Sequence, residues 1–342
     1  MAFYDRMFDA LGLREWCDAS GSGANLSMAD LLAQANAKNG DNGPAFPFPS
    51  LDALNEACPA IPQSRDFVSA VEDGFLAIKD ALKFVLDPLT QPLSWMLEWA
   101  LIAVDAVPWW IMLPALFVLT WYVSRSAIVT GFVIFVFLFL GLIDHLEPAM
   151  QTLSIVLVCT GLCILLGVPI GIAMAKSDSF QRMILPVLDL LQTLPTFVYL
   201  IPLIFLFSVT EPKLYGIAII VYAIVPVIRL TDLGIRLVDK DVVEAANAFG
   251  MSPRQKLWGV ELPLALPNIM AGVNQTIMMS LAMVVIASLV SAPGLGVLVL
   301  RGIRNLELGV GLIAGLGIVL LAIVLDRVSK AALARVSAAQ KH

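Results

Sequence analysis

Long apolar blocks leave this chain one kind of environment to fold in. They run near 107–124, 127–143, 151–175, 184–207, 214–230, 269–290 and 308–325, and few charges interrupt them. A run of about 20 apolar residues is what a helix needs to cross the hydrocarbon core of a bilayer. No water satisfies the backbone there, so a spanning segment must make its own hydrogen bonds, as a helix does. Composition agrees, with 59% of the 342 residues hydrophobic, 14% charged and a mean hydropathy of +0.87. A soluble domain carries about 25% charged residues. The sequence therefore predicts an all-α polytopic membrane protein with about seven spanning helices.

The formal net charge of −6 is unevenly spread. Residues 1–92 hold 13 of the 27 acidic and 6 of the 21 basic residues, a local balance of −7, so the membrane body is close to neutral. No basic stripe or arginine-rich arm points to nucleic acid. Residues 1–65 read as a hydrophilic acidic tail, with "NAKNGDNGPAFPFPS" too polar to bury much core. The N-terminus shows no basic n-region or apolar h-region, so no cleaved signal peptide is expected. Residues 66–106 read as amphipathic and interfacial helices. Phe67, Val71, Phe75, Ile78, Leu82 and Val85 recur at three and four residues, and "LSWMLEWALIAVDAVP" is apolar but short. Residues 331–342 form a C-terminal tail. Cys17 and Cys58 are paired or free, Cys159 and Cys163 are packed or lipid-facing thiols, and no metal-binding spacing occurs.

Lysine and arginine in the connections orient the chain. Arg125, Lys176, Arg182, Arg236, Lys240, Arg254, Lys256, Arg327, Lys330, Arg335 and Lys341 all fall in alternate connections. The opposite ones hold only Lys213, Arg301 and Arg304, and "DHLEP" has none. This predicts a cytoplasmic C-terminus and 231–268 loop. With seven spans, the N-terminal tail lies outside.

That loop carries the densest local signals. In "EAANAFGMSPRQKLWGVELPLALPN", residues 244–268, Val242, Val243, Ala246 and Phe249 form an apolar stripe ending at Gly250, a residue able to take the left-handed conformation after a helix. Ser252 is a good N-cap, Pro253 suits the first helical position, and Gln255 completes a capping box. The second helix runs through Leu257, Trp258 and Val260, and Pro263 and Pro267 are expected to end it at the membrane surface. A capped, rigid helix-turn-helix outside the bilayer is built to dock against something.

The pattern Glu244-Ala245-Ala246, then Gly250, then Val260, Leu262 and Pro263, resembles the EAA loop of ABC-importer permease subunits, with Val260 where isoleucine is usual. Outside the loop, "LDLLQTLPTFVYLIPLIFLF", "NQTIMMSLAMVVIASLV" and "GLGVLVLRGI" resemble the permease of glycine betaine/proline betaine importers, over roughly residues 107–330. The resemblance implies a type I ABC-importer transmembrane domain in a bacterial inner membrane. Glu244, Ala245, Ala246, Gly250, Ser252, Pro253, Leu262 and Pro263 would form the coupling helices that fit a groove on a cytoplasmic ATPase. It implies as partners a second copy of the chain, two ATPase subunits and an extracytoplasmic binding protein. No cofactor is expected on this chain, since ATP and Mg belong to the partner ATPase. In keeping with that, no G-x-x-x-x-G-K-[ST] phosphate loop occurs.

Several polar or helix-breaking residues lie in the apolar blocks. Asp189 is either a pathway acid or an interfacial one. Pro195, Phe197 and Tyr199 sit where Pro195 and Pro202 break hydrogen bonding, as expected of a helix lining a cavity or packed on protein. Asn274, Gln275 and Thr276 read as pathway groups or as interhelical hydrogen-bond partners. Trp95, Trp99, Trp109, Trp110 and Trp121 fit an interfacial belt better than an aromatic cage. A secondary transporter is the competing class, but it wants paired intramembrane charges, and it would leave the docking loop without a role. A membrane enzyme finds no nucleophile–base or metal constellation here.

Overall fold

The structure, a computed structural model, describes residues 2–13, 58 and 64–339. Among these, every regular element is helical. Two compact units divide the chain at Asp80/Ala81. The first holds α1 (Ala2–Leu11) and Cys58, which is buried and disulfide-bonded; Cys17 lies outside the described residues. The rest of the 1–65 tail beyond 2–13, residue 58 and 64–65 also lies outside them.

Helix α2 (Ser64–Ala106) is one unbroken helix through Pro88 and Pro92, where the sequence suggested an amphipathic helix followed by a separate interfacial segment. The two prolines are four residues apart, so their missing donors fall on one side of the helix. After a bend of 117° comes α3 (Trp109–Ser124), then α4 (Ala127–Leu142), capped by the Ser126 side chain. Helices α5 (Leu146–Lys176), α6 (Asp178–Thr193) and a short α7 (Leu200–Leu206) follow. Next are α8 (Pro212–Arg236), α9 (Lys240–Ala248) and α10 (Pro253–Lys256), leading by a π turn, Leu257–Glu261, into α11 (Leu262–Ala287). The amphipathic α12 (Leu295–Arg304) and the long α13 (Leu308–Ala339) complete the chain.

Each expected apolar block is helical, yet the count of seven independent spans is not what the structure gives. Among the described residues, four helices are long and apolar enough to cross a membrane, or up to six if each of two bent pairs makes one span. The blocks at 107–124 and 127–143 became 16-residue helices, about 24 Å long at 1.5 Å per residue. That falls short of a ~30 Å hydrocarbon core. The block at 184–207 is broken between α6 and α7 by 108°.

The centre of the second unit is α5, α8 and α11 packed together. Side chains between them are small or fully buried, including Ile155, Cys159, Ile219, Ala223 and Met283. A Cβ on Gly171 of α5 would stand 2.7 Å from the carbonyl oxygen of Ile228 and 2.6 Å from Thr231 Cβ, so only glycine lets these backbones approach. Polar atoms pin the packing. Thr160 donates to Ser280 at 3.2 Å between α5 and α11, and the backbone N–H of Leu295 donates to Thr152 at 2.9 Å. Cys159 and Cys163 are both free and buried in this core.

Candidate functional site

The helix-turn-helix between α8 and α11 forms as its local chemistry predicts. Helix α9 is capped by the Asp239 side chain, which accepts from the Asp241 N–H. At its other end Gly250 takes φ +75°. Its N–H donates to the Asn247 carbonyl at 2.9 Å, and the Met251 N–H reaches back to the Ala246 carbonyl at 3.2 Å. This pair of bonds is the Schellman motif. A Cβ at Gly250 would meet nothing within 4 Å, so conformation alone, not crowding, asks for glycine. Helix α10 then starts from a full capping box. Ser252 accepts from the Gln255 N–H, and the Gln255 side chain accepts from the Ser252 N–H, with Pro253 in the first turn.

The turn therefore fixes two short helices at a set angle. On their surface Phe249 is 86% and Trp258 71% exposed, beside exposed Val242 and Met251. Glu244 and Ala245 are exposed on α9, whereas Ala246 is buried. Large apolar groups are thus held open on an otherwise charged element. At the base, Leu262 packs against Ile235, Ala265 and Ile269 and so ties the element to α8 and α11.

One expectation is corrected here. Pro263 and Pro267 do not end the second helix at the membrane surface, because α10, the π turn and α11 form one continuous path. A proline ring inside a helix clashes with the carbonyl four residues earlier. The π turn, in which Leu262 N–H bonds the Leu257 carbonyl, widens the helix just ahead of Pro263 and removes that conflict. The docking element is thus the extension of a spanning helix.

The intramembrane candidates separate in space. Asp189 forms an ion pair with Arg229 of α8 and stays largely exposed; Arg229, at the end of an apolar block, is a partner the sequence reading missed. Pro195 marks the break, followed by a 3-10 turn over Thr196–Tyr199. Phe197 is exposed there, while Tyr199 is buried, its ring 6.4 Å from that of Tyr222. Asn274 makes interhelical bonds, donating to Asp326 at 3.1 Å and accepting from Ser329 at 2.6 Å, both on α13. Gln275 is exposed and Thr276 is buried. The structure does not gather these residues into one site. The five tryptophans Trp95, Trp99, Trp109, Trp110 and Trp121 are all exposed. Among the described residues no cluster of His, Cys, Asp or Glu could hold a metal ion.

The sequence pattern of the binding-protein-dependent transport system inner membrane component matches residues 167–338, which include the whole helix-turn-helix. The chain belongs to this family. It is accordingly a multi-pass inner-membrane protein with the fold of the ABC-importer permeases. Among relatives, the glycine betaine/proline betaine permease ProW of Escherichia coli (strain K12) is 49% identical over 193 residues, 56% of this chain and 54% of that one. The glycine betaine/carnitine permease GbuB of Listeria monocytogenes serotype 1/2a (strain 10403S) is 43% identical over 231 residues, 66% of this chain and 81% of that one. The trimethylamine N-oxide permease TmoV of Ruegeria pomeroyi is 38% identical over 256 residues, 74% of this chain and 38% of that one. This chain spans about half the length of its ProW relatives. A solved structure of the MetNI methionine ABC transporter, inward facing, shares the fold with a TM-score of 0.51 at 18% identity, over 56% of this chain and 95% of that one.

Proposed function

We propose that this permease is the membrane-spanning subunit of an ATP-driven importer of betaine-type methylated amines. The observation that carries the coupling half of this reading is the rigid helix-turn-helix whose exposed Phe249 and Trp258 stand on the direct extension of a spanning helix. Such an element moves a transmembrane helix when a partner moves it. The substrate half is supported by relatives named for glycine betaine, proline betaine, carnitine and trimethylamine N-oxide. All four present a compact methylated nitrogen.

In this reading the complex holds two copies of the chain, two cytoplasmic ATPase subunits and an extracytoplasmic binding protein. ATP and Mg bind the ATPases, and this chain catalyses no reaction. The 231–268 loop and the C-terminus face the cytoplasm. ATP binding closes the ATPases and draws the coupling helices of both copies together. The capped corner at Gly250 and Ser252 passes that movement on without bending, and the pathway opens outward.

The test is uptake of labelled glycine betaine into proteoliposomes holding this chain, its ATPase and its binding protein, with and without internal ATP. Unlabelled choline, carnitine and trimethylamine N-oxide compete, and their order names the substrate. Uptake that ignores ATP and follows an ion gradient refutes the reading in favour of a secondary transporter.

A further inference from the structure

The π turn that relieves Pro263 creates a mechanical difficulty. A turn with five-residue hydrogen bonds is wider and less regular than the helix around it, and such turns are where helices bend. If the docking element pushes on α10, a free π turn would absorb the displacement before it reached α11.

The structure carries a brace at that point. Glu261, the last residue of the π turn, has a side chain only 6% exposed and forms an ion pair with Lys176, the last residue of α5. The same α5–α6 corner is held from the other side by α8. Arg236 donates to the Met174 carbonyl at 2.8 Å and to Asp178 at 2.7 Å, and its Nε is 2.9 Å from Asp232 on its own helix. Gln181 of α6 also donates to Asp232, at 2.6 Å. Met174, Lys176 and Asp178 are consecutive alternate residues, so one short corner receives contacts from both the π turn and α8. That corner opens α6, and α6 leads to the break at Pro195.

We propose that the Lys176–Glu261 ion pair is the positioning contact that passes displacement of the docking element to the α5–α6 corner, and through α6 to the broken segment at Pro195–Tyr199. This rests on the importer reading. Neither residue touches substrate or nucleotide; both act through the helices they join. A buried carboxylate held by one cation does not slide, because separating the pair leaves a buried charge uncompensated. It therefore fixes the base of α11 to α5 while the α9–α10 arm is pushed.

The experiment measures substrate moved per ATP hydrolysed in the reconstituted complex, for the wild type, K176Q, E261Q, the conservative K176R and the exchanged pair K176E/E261K. Capture of the ATPase and elution as a monodisperse complex are measured alongside. Each neutralised variant is expected to capture the ATPase yet move at least about fivefold less substrate per ATP, the lower end of typical coupling between sites. K176R keeps the charge and is expected to stay within twofold of the wild type, and the exchanged pair to recover most of the loss. Normal transport per ATP in K176Q and E261Q overturns the proposal, as does loss in K176R equal to that in K176Q. If the exchanged pair fails to assemble, the comparison of K176R with K176Q still decides. Wild-type uptake that needs no ATP sinks the importer reading itself, and this proposal with it.

Discussion

Replacing Gly250 in turn by asparagine, alanine and valine asks what the corner of the docking element requires. Gly250 sits at φ +75° with no atom within 4 Å of where a Cβ would be, so the substitutions differ only in backbone strain. For alanine the left-handed conformation costs about 1–2 kcal/mol. Asparagine visits that region more readily, and a β-branched residue is a true outlier in it. The corner is otherwise held by two exposed backbone bonds, the Ser252 cap and a hydrogen bond from Lys256 to the Asn247 side chain at 3.0 Å. A penalty of 1–2 kcal/mol therefore shifts the formed corner by a factor of roughly 5 to 30 where its own stability is comparable. Affinity for the ATPase falls by the fraction of molecules no longer preformed. The expected order of dissociation constants, measured on detergent-solubilised permease by titrating in the ATPase, is wild type below Asn, Asn below Ala, and Ala below Val. Equal weakening by all three substitutions refutes this reasoning. It would mean that the partner presses directly on the glycine and leaves no room for any side chain.

Phe249→Ala and Trp258→Ala remove exposed surface, so thermal unfolding should move little, while ATPase affinity falls by about 2 kcal/mol or roughly 30-fold at each if both are interface anchors. Ser252→Ala breaks the capping box at a cost of about 1 kcal/mol, seen as several-fold faster amide exchange at Gln255. Gly171→Ala drives a Cβ into the Ile228 carbonyl and should destabilise the solubilised protein by about 1–3 kcal/mol. Gly161→Ala on the same helix meets nothing within 4 Å and should not destabilise; a similar loss at both would mean that helix contact is not the cause. Asn274→Leu deletes bonds to Asp326 and Ser329, each worth about 0.6 kcal/mol in a membrane, and should lower the thermal midpoint slightly.

What could be read ahead of the structure was contiguous. The Gly250 turn, the Ser252–Gln255 box and the apolar character of each block depend on residues within a few positions of one another, and all appear in place. Pro263 misled because a proline reads as a stop, whereas here a π turn precedes it and nothing in "LWGVE" announces one; Pro267 is carried inside α11, as Pro88 and Pro92 are inside α2. The bend at Pro195 was legible as a break, but its 108° is set by what α6 and α7 pack against. Ion pairs joining distant parts of the chain left no mark at all. Lys176 and Glu261 lie 85 residues apart, Asp189 and Arg229 40 apart, and Lys213 with Asp87 126 apart. Asp189 stood out as an acid inside an apolar block, but its partner Arg229 did not, and the other four looked like ordinary charges.

The π turn also fixes which way the patch faces. Each residue turns a regular helix by about 100°. A bond that runs back five residues, from Leu262 to Leu257, takes one more residue into a single turn than regular bonding does. Deleting one residue between Lys256 and Leu262 and restoring regular bonding would therefore leave Phe249, Met251 and Trp258 facing nearly as they do now. Restoring regular bonding with every residue kept would swing them roughly a quarter-turn around the axis of α11, and the patch would survive intact and point the wrong way. The turn works as a slot that takes up one residue.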